Sequence, residues 1–171
     1  MRRSPNPERG PGQPLFTIPR DINGIEIFGD FPRTGLSDKD IVYGLRSYYA
    51  CVSFIDAQVG KILDELQRLK LADSTVVVVL SDHGFHLGDH GNWGKATCFE
   101  HATRSPLFVQ MSGMETAGTQ CNALVEHVDL FPTVLDLCGF DIPQYMEGTS
   151  FVPLLKSPLT AWKNVVFSRL V

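Results

Sequence analysis

Residues 75–95 read TVVVVLSDHGFHLGDHGNWGK, and this stretch decides the fold. Its β-branched run, 75–79, is closed by Leu80 and is typical of a strand that is buried on both faces. An acid and an imidazole, Asp82 and His83, follow almost directly. In open α/β sheets, ligands bind outside the carboxyl ends of the strands. We therefore expect a ligand site at the end of this strand.

The loop after the strand is rich in glycine and in ionisable side chains. Glycine allows sharp turns and a close approach of backbone to a ligand. Asp82 and His83 together suit a divalent cation, because the carboxylate supplies a hard oxygen ligand. Adjacent side chains on an extended backbone point apart, so both can face one ion only if the chain bends after Leu80. The alternative is that Asp82 caps the next element and that His83 is an ordinary hydrogen-bonded polar residue.

Three more features of this loop have two interpretations each. His83, His86 and His90 could form a zinc cluster, although the intervening glycines disfavour a preformed helical face. Lys95 either holds an anionic substrate group as a point charge or is an exposed, solvated lysine. Trp93 is either a wall of a sugar-sized pocket or an anchor of the loop.

A long amphipathic helix is predicted before the strand. Ser37 and Asp40 resemble a capping box with the shorter acid. Apolar residues then recur in alternating steps of four and three as far as Leu69, which predicts a helix ending near Lys70. A coiled coil would show the same spacing. A helix that leads into a buried strand is half of a βαβ unit, so the fold class is α/β.

Shorter elements are predicted after the loop. The run 106–111 is typical of a second buried strand. Asp129 is predicted to cap a helix over 130–137, and Gly139 to end it. His101 and His127 are interpreted as structural. A helical turn at 151–155 and a strand-like run at 164–167 complete the predicted elements.

The composition of the 171 residues narrows the class of protein: 43% are hydrophobic, 20% are charged, and the net charge is -4. This charge gives no electrostatic case for a nucleic-acid partner. No apolar run reaches the roughly 20 residues that a membrane span needs. The four cysteines show no CxxC pair or zinc-finger spacing, so we expect buried free thiols or a disulfide. Residues 1–36 are predicted to form a Pro/Gly-rich arm or loop segment with one extended piece at 25–28, and 37–171 to form the domain.

Several stretches together resemble the sulfatases of the alkaline-phosphatase-like superfamily, in particular its iduronate-2-sulfatase-like branch. The motif SDHGFHLGDHGNWGK resembles the C-terminal metal-site motif of that family. YYACVSFIDAQVGKILDEL and ATRSPLFVQMSG resemble the preceding helix and the following strand, and VEHVDLFPTVLDLCGFDIP a later segment. The resemblance covers about 36–171. It implies part of a sandwich with a mainly parallel central sheet flanked by helices, incomplete in this chain.

The resemblance also implies roles for individual residues. Asp82 and His83 look like two ligands of the family's calcium ion, although calcium prefers oxygen to an imidazole. Lys95 looks like the lysine that contacts the sulfate and steadies the leaving oxygen. Trp93 is expected to line the substrate site. The family's nucleophile is a formylglycine hydrate, made from a Cys or Ser in a C/S-x-P-x-R motif, and its metal stabilises charge.

The chain departs from the family pattern in two respects that matter for activity: the nucleophile motif is absent, and so are the N-terminal paired aspartates that complete the family's metal site. No C/S-x-P-x-R motif occurs in the 171 residues, so we expect the chain by itself to be inactive. It resembles the second half of a catalytic domain that hydrolyses sulfate esters of a sugar such as 2-sulfo-iduronate, in glycosaminoglycan degradation. The missing N-terminal half or a second copy is the expected protein partner. The alternatives are a non-catalytic truncated protein and a phosphodiesterase or phosphonate hydrolase. Family members are usually secreted, periplasmic or lysosomal, but no signal peptide is predicted here.

Overall fold

The structure is a computed structural model that describes residues 36–169, and these fall into two units. The first unit contains 36–62 and the loop Ser81–Pro106. The second contains Leu63–Leu80 and Leu107–Ser168. Apart from Leu36, the predicted N-terminal arm and its extended piece lie outside the described residues.

The predicted long helix is confirmed as α1, Asp38–Arg68. Its first turn is closed by a capping box, in which the Ser37 amide donates to Asp40 Oδ2 at 2.8 Å and the Asp40 amide faces Ser37 Oγ at 3.4 Å. Two residues beyond its end, Lys70 has a φ of 58°. This is the left-handed conformation that glycine often takes where a helix ends.

The apolar stripe of α1 is only partly covered. Leu45 is its buried residue, and it packs with Trp93 in the core of the first unit. Val52, Ile55 and Ile62 belong to the same predicted stripe, yet 50%, 58% and 63% of each remains exposed. The periodicity therefore predicted the helix correctly, and much of the face it marked is left uncovered by residues 36–169.

The strand that opens the central motif is β1, Val77–Leu80, and it pairs antiparallel with β4, Leu107–Gln110. Val77 lies opposite Gln110, and Leu80 opposite Leu107. The prediction that this strand is buried on both faces is wrong for the described residues, because Leu80 is 44% exposed. The parallel neighbours that belong to the predicted sheet are not among residues 36–169.

A small hairpin lies inside the loop of the first unit. It consists of β2, His86–Leu87, and β3, Trp93–Gly94, which pair antiparallel. The turn between them uses Gly88 at a φ of 98°, a conformation that side chains with a Cβ rarely adopt. A short helix, α2, spans Glu100–Thr103.

The helices of the second unit follow the prediction closely. They are α3, Leu130–Leu137, and α4, Val152–Lys156. Gly139 ends α3 with a φ of 75°, its amide donating to Asp136 O while the Phe140 amide donates to Leu135 O, which is a Schellman motif. The predicted strand-like run at 164–167 is wrong, since this segment has no regular structure.

Asp129 does not cap α3 with its side chain, so that prediction is also wrong. Its carboxylate instead accepts the Glu126 amide at 2.8 Å and the Thr149 amide at 2.9 Å. The side chain is fully buried and lies 2.7 Å from Lys163 Nζ, which also contacts Glu126 at 2.7 Å. We call these three charged residues the Asp129 network.

The structure also bears on the expected state of the cysteines and on membrane-spanning helices. All four cysteines are free and exposed, so the expectation of buried thiols or a disulfide is wrong. Among the helices of residues 36–169, none combines the length and apolar character that crossing a membrane requires.

Candidate functional site

The site begins where the chain leaves β1 and folds back on the segment before β4. The Ser81 amide donates to Pro106 O at 3.1 Å, and the Gly84 amide donates to Ala102 O at 2.8 Å. A Cβ at Gly84 would lie 2.0 Å from the backbone oxygen of His101. Because no side chain fits in that gap, glycine is required for this turn.

The turn brings Asp82 and His83 together. Asp82 Oδ1 lies 3.5 Å from His83 Nε2, so the two adjacent side chains face each other, as the predicted bend requires. The carboxylate is 82% exposed and the imidazole 33% exposed. Both are therefore accessible to a ligand from solvent.

The hydrogen bonds of His83 assign its tautomer. Its Nδ1 lies 2.7 Å from Gly84 O, an atom that can only accept, so Nδ1 carries the proton. Its Nε2 lies 2.8 Å from Lys95 Nζ, and an ammonium can only donate. The lone pair of the neutral imidazole is therefore on Nε2, beside both Asp82 and Lys95.

Lys95 reaches His83 across twelve residues because the β2–β3 hairpin reverses the chain. In this hairpin His86 lies opposite Gly94, the residue just before Lys95. The result is an exposed cation beside an exposed carboxylate and an imidazole lone pair. Such a group can bind an anion at the ammonium and a cation at the carboxylate and the imidazole nitrogen.

Trp93 lies in the core of the first unit. It is 8% exposed and packs with Leu45, and Leu87 lies against this pair. Of its two predicted roles, this position favours the loop anchor. Contact of Trp93 with a substrate stays a prediction.

Two buried polar side chains of the loop are not fully hydrogen-bonded. His86 is 1% exposed, and its Nε2 lies 2.7 Å from Thr97 Oγ1, whereas its Nδ1 has no partner. Burial, and after it the neighbouring His101, lowers the pKa of His86, and Asp89 opposes only part of that shift. His86 is therefore neutral at pH 7. Asn92 is 2% exposed, and neither atom of its amide group has a partner.

The histidines of the loop do not form the zinc cluster considered above. Asp89 Oδ2 lies 3.6 Å from His90 Nε2 and 3.5 Å from His101 Nδ1. His86 is bonded to Thr97, and His83 is bonded elsewhere. Within residues 36–169, no group of three or more His, Cys, Asp or Glu side chains is placed to hold a metal.

The Asp82–His83 pair fits part of a divalent-cation site. A ligating imidazole usually donates its other ring N–H to a backbone carbonyl or carboxylate, and Gly84 O supplies that partner here. Calcium takes about six to eight ligands, mostly oxygen, so two side chains supply only one edge of such a site. The roles of Asp82 and His83 as metal ligands and of Lys95 as a sulfate contact stay predictions.

Asp82, His83 and Lys95 were predictable from the sequence, whereas the contacts that hold the surrounding loops were not. The bond from His86 to Thr97 joins residues eleven positions apart, and the Lys163–Glu126 bond joins residues 37 apart. Neither pair lies at a helical or strand spacing. No local pattern in the sequence therefore signalled either contact.

Comparison with known proteins identifies the family. The sequence profile of the Sulfatase family matches residues 16–140. An N-acetylglucosamine-6-O-sulfatase of Bacteroides thetaiotaomicron is 34% identical over 113 residues, which are 66% of this chain and 20% of the relative. Human iduronate 2-sulfatase is 36% identical over 130 residues, covering 62% of this chain and 24% of the relative. The chain thus spans about a fifth to a quarter of these relatives.

Solved structures agree with the predicted fold class. One, with 34% identity and a TM-score of 0.63, is a complex with its substrate D-glucosamine-2-N,6-O-disulfate, and the match covers 66% of this chain and 23% of that one. A phosphonate monoester hydrolase of Silicibacter pomeroyi has 32% identity and a TM-score of 0.71, covering 78% and 26%. These likenesses confirm an alkaline-phosphatase-like fold that is incomplete in this chain. With the family profile matching 125 of the 171 residues, the chain belongs to the sulfatase family.

Proposed function

We propose that this chain is the part of a sulfuric ester hydrolase that supplies one edge of a calcium site and a sulfate-contacting lysine. The observation that carries the proposal is the contact of Lys95 Nζ with His83 Nε2 at 2.8 Å, beside the exposed carboxylate of Asp82. Two metal ligands, Asp82 and His83, beside the positively charged Lys95 suit an anionic ester that is bound to a metal ion.

Each residue has a distinct part in this proposal. Asp82 and His83 would hold the ion, with the imidazole oriented by Gly84 O. Lys95 would attract a sulfate oxygen and stabilise the negative charge that develops on the leaving oxygen. When bound, calcium supplies additional charge stabilisation, and formylglycine supplies the nucleophile in the family. Since the sequence contains no C/S-x-P-x-R motif, the nucleophile must come from another segment.

The substrate we propose is a sulfated sugar, such as 2-sulfo-iduronate. The support is that one relative is an iduronate 2-sulfatase and another an N-acetylglucosamine-6-O-sulfatase. A neighbouring structure holds a sulfated glucosamine. Each of these three similar proteins is thus associated with a sulfated sugar.

A phosphonate or phosphodiester hydrolase is the second candidate, and its support is the Silicibacter pomeroyi neighbour. Phosphonate and sulfate esters both present anionic oxygens to a metal and a lysine. The names of the curated relatives given above favour the sulfatase.

A polypeptide that carries the N-terminal half of a sulfatase domain is the partner we propose. Val52, Ile55 and Ile62 on α1 are half exposed or more, as is Phe108 on β4 at 65%. Apolar faces of this kind mark interaction surfaces or aggregation sites. A non-catalytic product, or a homo-oligomer that covers the same faces, is the competing account.

Binding to the 171-residue chain tests the site independently of catalysis. We expect calorimetry to detect calcium binding that Asp82→Asn weakens about tenfold or more, since a charged oxygen ligand is lost. Inorganic sulfate binding should weaken in Lys95→Met. The matched controls, Asp56→Asn and Lys61→Met, change exposed residues of the first unit and should leave both affinities unchanged.

Activity is tested in a complete sulfatase domain that contains these residues. We expect it to release sulfate from sulfated sugars, with Asp82→Asn and Lys95→Met lowering kcat about 100-fold or more. The 171-residue chain alone should show no turnover. Faster hydrolysis of a phosphonate monoester would favour the second candidate. A folded full-length protein with no hydrolase activity would support the non-catalytic account.

A further inference from the structure

The backbone of Lys95 is flanked by two contacts that His86 makes with neighbouring residues. On one side, the backbone of His86 in β2 is paired with Gly94 in β3. On the other side, His86 Nε2 lies 2.7 Å from Thr97 Oγ1. We call this second contact the His86–Thr97 bridge. Because Gly94 and Thr97 flank Lys95, the bridge and the hairpin together restrict where the lysine backbone can lie.

Thr97 is held from several directions. Its amide donates to Lys95 O at 2.7 Å, and its Oγ1 accepts the Phe99 amide at 3.2 Å. The residue is 8% exposed. The His86–Thr97 bridge therefore joins β2 to a tight turn whose first residue is Lys95.

Burial alone does not account for a histidine at position 86. The side chain is 1% exposed and its Nδ1 has no partner, so the imidazole pays a desolvation penalty there. An aliphatic side chain would fill the space without that penalty. What an aliphatic side chain could not supply is the bond to Thr97.

We propose that His86 is a positioning residue for Lys95, acting through Thr97. The His86–Thr97 bridge keeps the turn 95–97 closed, and the closed turn keeps Lys95 Nζ within 2.8 Å of His83 Nε2. The inference rests on the proposed function only in taking Lys95 as the anion-binding group. The placement of Lys95 can be measured without any ligand.

The test uses four variants of the 171-residue chain. Thr97→Val removes the hydroxyl at nearly constant volume, and His86→Leu removes the ring nitrogens. Thr97→Ser retains the hydroxyl, and His86→Gln retains a nitrogen at a similar distance from the backbone. Pulse acetylation with mass spectrometry would report the labelling rate of Lys95 relative to Lys61, which bonds to Gln58 on α1 and serves as an internal reference.

We expect Thr97→Val and His86→Leu to raise the Lys95-to-Lys61 labelling ratio severalfold and to weaken inorganic sulfate binding about tenfold, since small displacements of a positioned group are costly. In Thr97→Ser and His86→Gln, both the labelling ratio and the sulfate affinity should stay within about twofold of wild type, because the hydrogen-bonding group is retained. A purely structural role would lower thermal stability without a selective change at Lys95.

Two results would overturn the inference. The first is an unchanged labelling ratio in folded Thr97→Val. The second is a Thr97→Val chain that does not fold, because the bridge would then hold the unit together rather than position one lysine. If labelling changes while sulfate affinity does not, the positioning role stands and the proposed sulfate contact fails.

Discussion

The two units bury polar side chains in opposite ways. In the second unit, Asp129 is fully buried, and its carboxylate meets two backbone amides and Lys163. In the first unit, His86 and Asn92 are nearly as buried, yet three of their side-chain atoms have no partner. Across the described residues, these are the buried side-chain atoms without a partner.

This difference suggests that the buried polar groups of the second unit serve stability and those of the first unit serve function. A buried charge with all its hydrogen bonds satisfied fixes the surrounding loops. Unpartnered buried polar atoms cost free energy, and native proteins retain few of them. They lie here in the loop that carries Asp82, His83 and Lys95, which is where departures from optimal packing are expected if the loop is functional.

The largest effect is expected in the Asp129 network. Asp129→Ala removes the partner of two amides and leaves Lys163 with Glu126 alone, so we expect the free energy of unfolding to fall by about 3 kcal/mol. Calcium binding at the Asp82–His83 pair should be unchanged in the protein that remains folded. Urea unfolding and calorimetry measure the two quantities.

Asp141→Asn is the matched control, because Asp141 is an exposed aspartate of the same unit. Its urea midpoint should equal that of wild type. A loss of under about 1 kcal/mol in Asp129→Ala would show that the network adds little, as is common for surface ion pairs.

Two glycines with the same steric clash sharpen the comparison further. A Cβ at Gly84 would lie 2.0 Å from His101 O, and one at Gly148 would lie 2.0 Å from Val128 O. Forcing backbone apart at either position should cost about 1–3 kcal/mol. Only Gly84→Ala should also weaken calcium binding, because Gly84 O orients His83.

Gly60→Ala is the control for both substitutions, since Gly60 lies in α1 with nothing within 4 Å of its added Cβ. We expect it to stabilise the chain by about 1 kcal/mol through helix propensity. Equal loss of calcium affinity in Gly84→Ala and Gly148→Ala would mean that the site follows overall stability and has no separate local support.

A dependence on pH is expected from the Asp129 network as well. Burial by itself would raise the pKa of Asp129, but the bonds from Lys163, Thr149 and Glu126 outweigh burial and hold the pKa below its ordinary value. A depressed pKa stabilises the folded state above the unfolded pKa of about 3.9, and this contribution is lost as the pH falls through the folded value.

Asp129→Asn cannot titrate, which isolates this contribution. The difference in urea midpoint between wild type and Asp129→Asn should be constant from pH 7 to about pH 5 and should narrow below about pH 4. The bond from Lys163 also lowers the pKa of the partly buried Glu126, so part of the acid dependence will remain in the variant. A difference that stays constant to pH 2 would contradict the prediction.

The sequence predicted the elements of this fold better than their burial. The steps of four and three gave α1, and Gly139 marked the end of α3, because both signals are local in the chain. Burial of β1 on two faces failed, since it depends on neighbours that residues 36–169 do not supply. The Asp82–His83 bend was predictable from Gly84, whereas the His86–Thr97 bridge depends on a hairpin register that no local pattern fixes.

The smallest effect we predict concerns the competition between Lys95 and a bound cation for His83. Lys95 Nζ donates to His83 Nε2, the same lone pair that would ligate a cation, and its charge repels one. Lys95→Met should therefore raise calcium affinity about fivefold, a modest change because the site is exposed and screened. The same variant should weaken inorganic sulfate binding, so one substitution moves the two affinities in opposite directions. Lys61→Met, the exposed control on α1, should change neither affinity.

If Lys95→Met weakens both affinities, the lysine supports the geometry of the loop. If it alters neither, then Lys95 lies outside the binding surface, and the unpartnered atoms of His86 and Asn92 would need an explanation in stability alone.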